Sequence, residues 1–308
     1  MKQPKLLLIL LVCLFTCQMQ LSSAKIQKET KIYSIRNGQE LKLDIYKMDS
    51  ADALQPCLMF VFGGGFKEGS RDAAHYLPYF NHFALKGFTV VALDYRLGMK
   101  GEKAPSPINN KPLLRAISLA VEDLYSATEY LIKHVDEFKI DTSEIIISGS
   151  SAGAITVLQA DYEKRNNMPS DTILSNTFQY AGVISFAGGI FSTEGLPVYK
   201  IAPAPTLFFH GSADKLVPYN HRSFLKRGMY GSESLAQSFK LNAYPFEFYS
   251  MENIGHEASF YPMNDFQSEI ELFIRNFVFN KKEWFININF KDNNRKPKML
   301  ITPAKYYK

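Results

Sequence analysis

Short apolar runs and amphipathic stretches alternate along this chain almost from start to finish. "KIYSI" and "LKLDIYK" flank "RNGQE", whose Asn37-Gly38 pair predicts a tight hairpin turn between two strands. "CLMFVFGGG" then reads as a buried strand, "AAHYLPYFNHFALKG" as a helix closed by Gly87, and "FTVVALDYRL" as a second buried strand. From Leu113 to Phe138 the residues Leu114, Ile117, Val121, Leu124, Thr128, Leu131 and Val135 recur at steps of three and four. That spacing predicts one continuous helix with a single buried face. The alternation then predicts a strand at "EIIIS", a helix at "AGAITVLQADYEK", and strands at "YAGVISFAGG" and "APTLFFHGSAD". A helix around "HRSFLKRG", a strand at "FEFYSMENIG" and a helix at "DFQSEIELFIRNFVF" follow. Such an order predicts an α/β chain with a doubly wound, mostly parallel sheet and helices on both faces, in one domain over residues 25–280. The long, charged, proline-bearing loop 98–112 reads as a connection, with a cover over a site as the alternative.

The two ends depart from this pattern. Lys2 and Lys5 precede an apolar run from Leu6 to Phe15, and small residues end at Ala24. Residues 1–24 therefore read as a signal peptide cut after Ala24, which implies a secreted or periplasmic protein. The apolar run is about half the ~20 residues a bilayer span needs, so no stable membrane span is expected. A rival cut lies before Cys17, where "LFTC" resembles the box of bacterial lipoproteins and would anchor the chain through that cysteine. Cleavage after Ala24 removes Cys13 and Cys17, leaves Cys57 alone and excludes an internal disulfide. It also lowers the formal charge from +5 to +3, too weak an excess to point to nucleic acid as a partner. The charge is also uneven, because residues 281–308 hold eight Lys or Arg against Glu283 and Asp292. This segment reads as a solvated, partly disordered basic tail, with a surface-binding arm as the alternative.

The candidate chemistry begins at "SGSSAG". Of its three serines only Ser151 has glycine at both minus two and plus two, Gly149 and Gly153, between an expected strand and an expected helix. A sharp strand-to-helix turn that exposes a nucleophile tolerates only small neighbours at those positions. The helix that follows directs its N-terminus at the reacting centre, where negative charge would be favoured. A serine nucleophile needs a base and an orienting acid. "FFHGSADKLVP" puts Asp214 just past a strand end, and "MENIGHEAS" puts His256 at the end of the next strand. His210 and His221 follow the serine less favourably placed, His75, His82 and His134 precede it, and Asp265 and Glu257 are weaker candidates for the acid. The glycines of "FVFGGGFKEG" supply the last requirement, bare backbone N–H groups for an oxyanion: Gly64 and Gly65, joined by Ala152 after the serine. No G-K-S/T follows and no G-x-G-x-x-G opens a helix, which argues against a nucleotide site.

As a set, "FGGGF", "LDYRL", "GSSAG", "HGSADKLVP" and "GH" over residues 30–280 resemble the α/β-hydrolase superfamily, in particular secreted carboxylesterases and lipase-like enzymes of the acetyl esterase type. Phe62 stands where many relatives have the histidine of His-Gly-Gly-Gly. The resemblance implies a serine carboxylic ester hydrolase with the triad Ser151, His256 and Asp214, working through an acyl-enzyme on short-chain, acetyl-like esters, carbohydrate esters among them. It implies no metal and no organic cofactor, and a small ester or acylated carbohydrate as partner, with Phe66 and Tyr95 near the substrate. A peptidase of the prolyl-oligopeptidase type and a catalytically silent hydrolase fold used for binding are the rival readings.

Overall fold

The computed structural model describes residues 25–49, 53–106, 109–168 and 173–308. The expected signal segment, with Cys13 and Cys17, lies outside these residues. The chain opens with β1 (Ile26–Arg36) and β2 (Gln39–Met48), which turn at Asn37 and Gly38 with φ of 50° and 78°, the positive values a two-residue hairpin turn demands. Then come β3 (Gln55–Val61), β4 (Thr89–Leu93), β5 (Ile140–Ser150), β6 (Gly182–Phe186), β7 (Gly189–Ser192), β8 (Thr206–Gly211), β9 (His221–Phe224), β10 (Arg227–Gly231), β11 (Phe246–Met251) and β12 (Phe285–Phe290). Nine strands form one sheet in the order β1-β2-β4-β3-β5-β6-β8-β11-β12. Every pairing from β4 through to β12 is parallel, and only β1 and β2 run against their neighbours. Strands β7, β10 and β9 make a separate antiparallel ribbon.

The helices are α1 (Leu77–Leu85), α2 (Lys111–Lys133), α3 (Val135–Phe138), α4 (Ala152–Arg165), α5 (Ser232–Leu241), α6 (Pro262–Asp265), α7 (Gln267–Phe273) and α8 (Pro303–Tyr306), with a π-type turn, Ile274–Phe279, prolonging α7. Neighbouring residues of β3 show why both faces of the sheet are covered. Phe60 packs its ring on Tyr79 and Phe80 of α1, whereas Met59 receives the Thr128 hydroxyl of α2 at 3.5 Å. Side chains one position apart in a strand point to opposite faces, so α1 and α2 lie on opposite sides. A strand enclosed on both faces reads as a nearly continuous apolar run, as "CLMFV" of β3 and "VVAL" of β4 do.

The structure departs from the sequence reading in three places. The expected helix over 113–138 breaks at His134, whose Nδ1 lies 2.7 Å from the Tyr130 carbonyl and competes with the backbone for that acceptor. "HRSFLKRG" is a hairpin, β9 and β10, because Leu225 and Lys226 take φ of 46° and 70° in a tight turn, and a helix (α5) begins only after it. The segment 281–308 is not a free tail. β12 pairs in parallel with β11, and its burial alternates so that Ile286, Ile288 and Phe290 face inward. Its charge is partly matched, Lys291 by Glu252 at 2.8 Å and Arg295 by Asp265 at 2.7 Å, and residues 298–307 cross back over the carboxyl ends of the strands.

Candidate active site

Four parallel strands deliver four loops to one edge of the sheet: residues 62–69 after β3, Ser151 after β5, Asp214 after β8 and His256 after β11. Carboxyl ends of parallel strands are where open α/β sheets place their sites. Ser151 takes φ 51° and ψ −112°, a conformation L-residues rarely hold. Its N–H donates to the Phe186 carbonyl of β6 at 2.9 Å, and its own carbonyl accepts from Ile155 at 2.9 Å as α4 begins. The flanking glycines are there for space. A Cβ on Gly149 would overlap the backbone of Gly153, and one on Gly153 would overlap the carbonyl oxygen of Val61. The turn can therefore close only if both positions lack a side chain.

Ser151 Oγ lies 2.7 Å from His256 Nε2, and His256 Nδ1 lies 2.7 Å from Asp214 Oδ2. An ionised carboxylate only accepts, so Nδ1 carries the proton and Nε2 is left to accept from the serine hydroxyl. The other Asp214 oxygen, Oδ1, accepts the N–H groups of Leu216 at 2.8 Å and Val217 at 3.1 Å, which fixes the carboxylate in its loop. Burial alone would raise the Asp214 carboxyl, but the imidazole of His256 and the hydrogen bonds from His210 and His256 hold it well below the usual carboxylate range. His256 donates its backbone N–H to the Met299 carbonyl at 3.0 Å, so the returning C-terminal segment helps seat it.

The neighbouring serines and the other acids are otherwise engaged. Ser150 Oγ donates to the Ser259 carbonyl at 2.7 Å, and Ser148 Oγ shares a hydrogen bond with the Tyr79 hydroxyl at 3.1 Å. Glu257 accepts the N–H groups of Lys298 and Met299, both at 2.9 Å, and Asp265 pairs with Arg295. Among the histidines, His82 meets Glu271 at 2.6 Å, His75 lies beside Tyr76 with the two rings tilted and His221 is exposed on β9.

The glycine loop is held by hydroxyls. Phe62 stacks on Tyr95 with 4.4 Å between ring centroids, and the Tyr95 hydroxyl donates to the Phe62 carbonyl at 3.1 Å. Tyr76 Oη accepts the Gly63 N–H at 3.1 Å, and Tyr307 Oη donates to the Gly65 carbonyl at 2.8 Å. Gly64 and Gly65 have φ of 118° and 61°, with the Gly64 carbonyl turned back to accept the N–H groups of Lys67 and Glu68. Among the described residues no hydrogen bond engages the N–H of Gly64 or Gly65. Gly65, Phe66 and Ala152 border the same cavity as Ser151, whereas Gly64, expected as a donor, is not among the residues that line it. Tyr95, expected near the substrate, is 1% exposed and props the loop from beneath instead of bordering the cavity. The structure brings Ser151, Asp214 and His256 together, with Gly65, Phe66 and Ala152 around them.

The cavity holds about 860 Å³ of open space, its mouth included. Ile155, Phe191, Leu216, Val217 and Met229 give it an apolar side, and Pro105, Ser106 and Asn110 of the 98–112 loop also line it.

Comparison with known proteins extends this geometry. Among solved structures the chain is similar to Thermogutta terrifontis esterase 2 phosphoramylated by tabun, with a TM-score of 0.62 and 24% identity over 82% of this chain and 94% of that one. It is similar to the propionate-bound form of the same esterase with a TM-score of 0.60 and 23% identity, over 88% of this chain and 98% of that one. This chain has the α/β-hydrolase fold. The family model described as BD-FAE matches residues 43–190 of this chain, a stretch that holds the glycine loop and Ser151 but ends before Asp214 and His256. Gut esterase 1 of Caenorhabditis elegans is 30% identical over 130 residues, 41% of this chain. Fumonisin B1 esterase of Sphingopyxis macrogoltabida is 32% identical over 102 residues, 32% of this chain. The matched stretches span about a fifth of those relatives' own length, 22% and 18%.

Several residues of this site escape sequence reasoning. His210 is fully buried at the end of β8, with Nε2 3.3 Å from the Val217 carbonyl and 3.4 Å from Asp214 Oδ2. Both neighbours are acceptors, so Nε2 carries a proton there, and Nδ1 meets Ser232 Oγ at 2.8 Å. Its place in "FFHGSAD", four residues before the acid, was the available signal. Tyr306 and Tyr307 gave none, since only the fold carries them across 242 residues to the glycine loop. No helix among the described residues is long and apolar enough to cross a membrane.

Proposed function

We propose that this chain is a serine carboxylic ester hydrolase. The observation that carries the reading is the unbroken chain from Ser151 Oγ through His256 to Asp214, 2.7 Å at each link, starting from a serine held at positive φ. Ser151 Oγ attacks the ester carbonyl carbon as His256 Nε2 takes its proton, and Asp214 holds the imidazole in the tautomer this needs and offsets the charge it gains. The N–H groups of Gly65 and Ala152, the two expected donors that border the cavity, receive the oxyanion. His256 returns the proton to the departing alcohol, leaving an acyl-serine. Water, deprotonated by the same nitrogen, then attacks the acyl carbon, and collapse of the second tetrahedral species frees the acid and restores Ser151. Preorganised donors contribute heavily to such a reaction, about 10²- to 10³-fold in rate for one of them.

The apolar chamber beside Ser151 fits a short acyl chain, and acylated carbohydrates are the substrates we favour. The esterase names of the similar proteins favour an ester over a peptide, and the engaged serine, histidine and carboxylate weigh against a silent binding module. The test is hydrolysis of short-chain aryl esters and acetylated xylan oligomers by the wild type and by Ser151→Ala, with labelling by a fluorophosphonate. Turnover and labelling that vanish in Ser151→Ala support the reading. A wild type that neither hydrolyses an ester nor takes the label overturns it.

A further inference from the structure

The β9–β10 hairpin puts two arginines on the wall of the cavity that holds Ser151. Strand pairing places Arg222 of β9 opposite Met229 of β10, and Arg227 lies two residues before Met229 on the same strand. Cross-strand partners and residues two apart share a face of a ribbon, so Arg222, Arg227 and Met229 all project from one side. All three border the cavity. The opposite face carries His221, Ser223 and Tyr230.

Both guanidiniums are exposed, and among the described residues neither meets a carboxylate. The one polar contact of the pair is Arg222 Nη2 to the Lys215 carbonyl, at a marginal 3.5 Å. No Asp or Glu lies among the described residues that border the cavity, while Lys226 in the hairpin turn adds a third positive charge to the ribbon. Like charges on neighbouring positions of one ribbon face repel, and an arrangement of this kind is relieved when an anion enters between them. Elsewhere in the molecule, buried or half-buried arginines are matched: Arg71 with Asp94, Arg96 with Asp123 and Arg165 with Asp161. The unmatched pair faces the cavity.

Resting on the ester hydrolase reading, we infer that Arg222 and Arg227 select esters that carry a carboxylate beyond the scissile bond. The apolar wall of Phe66, Ile155, Phe191 and Met229 takes the aliphatic part, Ser151 meets the carbonyl, and the arginine face receives the anion. Arginine suits this task because its planar fork donates to both oxygens of a carboxylate at once. The carboxylate can belong to the acyl group, as in a monoester of a dicarboxylic acid, or to the alcohol, as in an acetylated uronate sugar.

Two substrate pairs separate these sources. 4-Nitrophenyl valerate against mono-4-nitrophenyl glutarate varies the acyl end at constant chain length, and acetylated xylo-oligomers against acetylated oligogalacturonides vary the alcohol. The quantity read is the ratio of kcat/KM for the charged over the neutral substrate. In Arg222→Ala/Arg227→Ala that ratio is expected to fall about tenfold to a hundredfold in one pair, the scale of one or two lost hydrogen bonds to a charged group. Arg222→Lys/Arg227→Lys is expected to recover part of it by keeping the charge, and Arg222→Glu/Arg227→Glu to push it below the alanine variant. All six side-chain changes lie on an exposed hairpin, and unchanged melting temperatures exclude a folding defect. If the neutral esters turn over but the ratio moves in neither pair, this inference is overturned and the hydrolase reading stands. If the wild type turns over none of the four and Ser151 takes no fluorophosphonate, both are overturned.

Discussion

Tyr307 donates its hydroxyl hydrogen bond to the carbonyl oxygen of Gly65 at 2.8 Å, joining the last turn of the chain to the glycine loop 242 residues earlier. Its neighbour Tyr306 lies so close that a Cβ on Gly65 would overlap the ring. Lys67 binds the same segment, donating to the Tyr306 carbonyl at 2.6 Å with its ammonium 4.5 Å from the Tyr306 ring centre. The C-terminal segment thus clamps the glycine loop where it borders the same cavity as Ser151. Tyr307→Phe removes one hydrogen bond worth about 1 kcal/mol, so kcat is expected to fall roughly three- to tenfold with KM little changed. Steady-state kinetics on a neutral aryl ester checks this, and deletion of residues 303–308 is expected to lower kcat further while the far-ultraviolet circular dichroism stays close to wild type.

That clamp marks where the sequence stopped being legible. The elements that set the sheet were readable because β3, β4, β5, β6 and β8 are apolar runs bounded by glycine or helix signals. Ser151 was readable from two glycines whose absence of side chains is a local steric need, and Asp214 and His256 from their positions at strand ends. The hairpin β9–β10 was lost because its signal is two non-glycine residues at positive φ, Leu225 and Lys226, which composition does not announce. The strand in "FININF" does alternate, but the surrounding lysines argued for solvent, and only the edge of β11 gives the segment a partner. Tyr95 was placed near substrate and sits beneath the loop, a distinction that depends on the Phe62 ring it stacks against.

Removing members of the Ser151, His256 and Asp214 set is expected to give unequal losses. Ser151→Ala and His256→Ala should each lower kcat by roughly 10⁴- to 10⁶-fold, and Asp214→Asn by about 10⁴-fold through the wrong imidazole tautomer. The double variant Ser151→Ala/His256→Ala should be no worse than either single one, because the two act as a unit. Ser150→Ala, whose hydroxyl is committed to the Ser259 carbonyl, should keep activity within about tenfold of wild type. A loss at Ser150 as large as at Ser151 would reassign the nucleophile.

Asp214 also makes an acid-stability prediction with a definite sign. Its carboxyl is held below the usual range in the folded chain and titrates near 4 when unfolded. Between those values the unfolded chain binds the extra proton, so stability rises with pH there. The contribution is complete above about pH 4 and is lost as pH falls through the folded value. Urea midpoints measured from pH 7 to pH 3 should give a wild-type advantage over Asp214→Asn that is flat down to about pH 4 and shrinks below it. The same reasoning leaves no inflection from Asp214 in kcat/KM above about pH 4.

Gly153 tests the packing of the turn separately from its chemistry. A methyl group there meets the Val61 carbonyl, a backbone atom of β3 that cannot turn aside as a side-chain end would. Gly153→Ala is expected to cost about 2–3 kcal/mol by overpacking, a fall in melting temperature of roughly 5–10 °C. Thermal unfolding followed by circular dichroism reads it directly, and a drop under about 1 °C would mean that β3 and α4 are not pressed together at this point.

The backbone at Ser151 yields a prediction in which the usual order of two substitutions is reversed. Replacing alanine by glycine normally destabilises by about 0.4–1 kcal/mol, because glycine has more freedom to lose on folding. At φ 51° and ψ −112° a Cβ is strained, and such conformations cost about 1–3 kcal/mol for residues other than glycine. Both Ser151→Ala and Ser151→Gly remove the hydroxyl and its hydrogen bond to His256, so that loss cancels in the comparison. What remains is strain relieved against entropy lost, and the strain is larger. Ser151→Gly is therefore expected to be more stable than Ser151→Ala by about 1 kcal/mol, read as a higher urea midpoint at equal slope. If alanine proves the more stable, the turn relaxes when the hydroxyl is gone, and the strain belongs to the Ser151–His256 contact instead of the backbone.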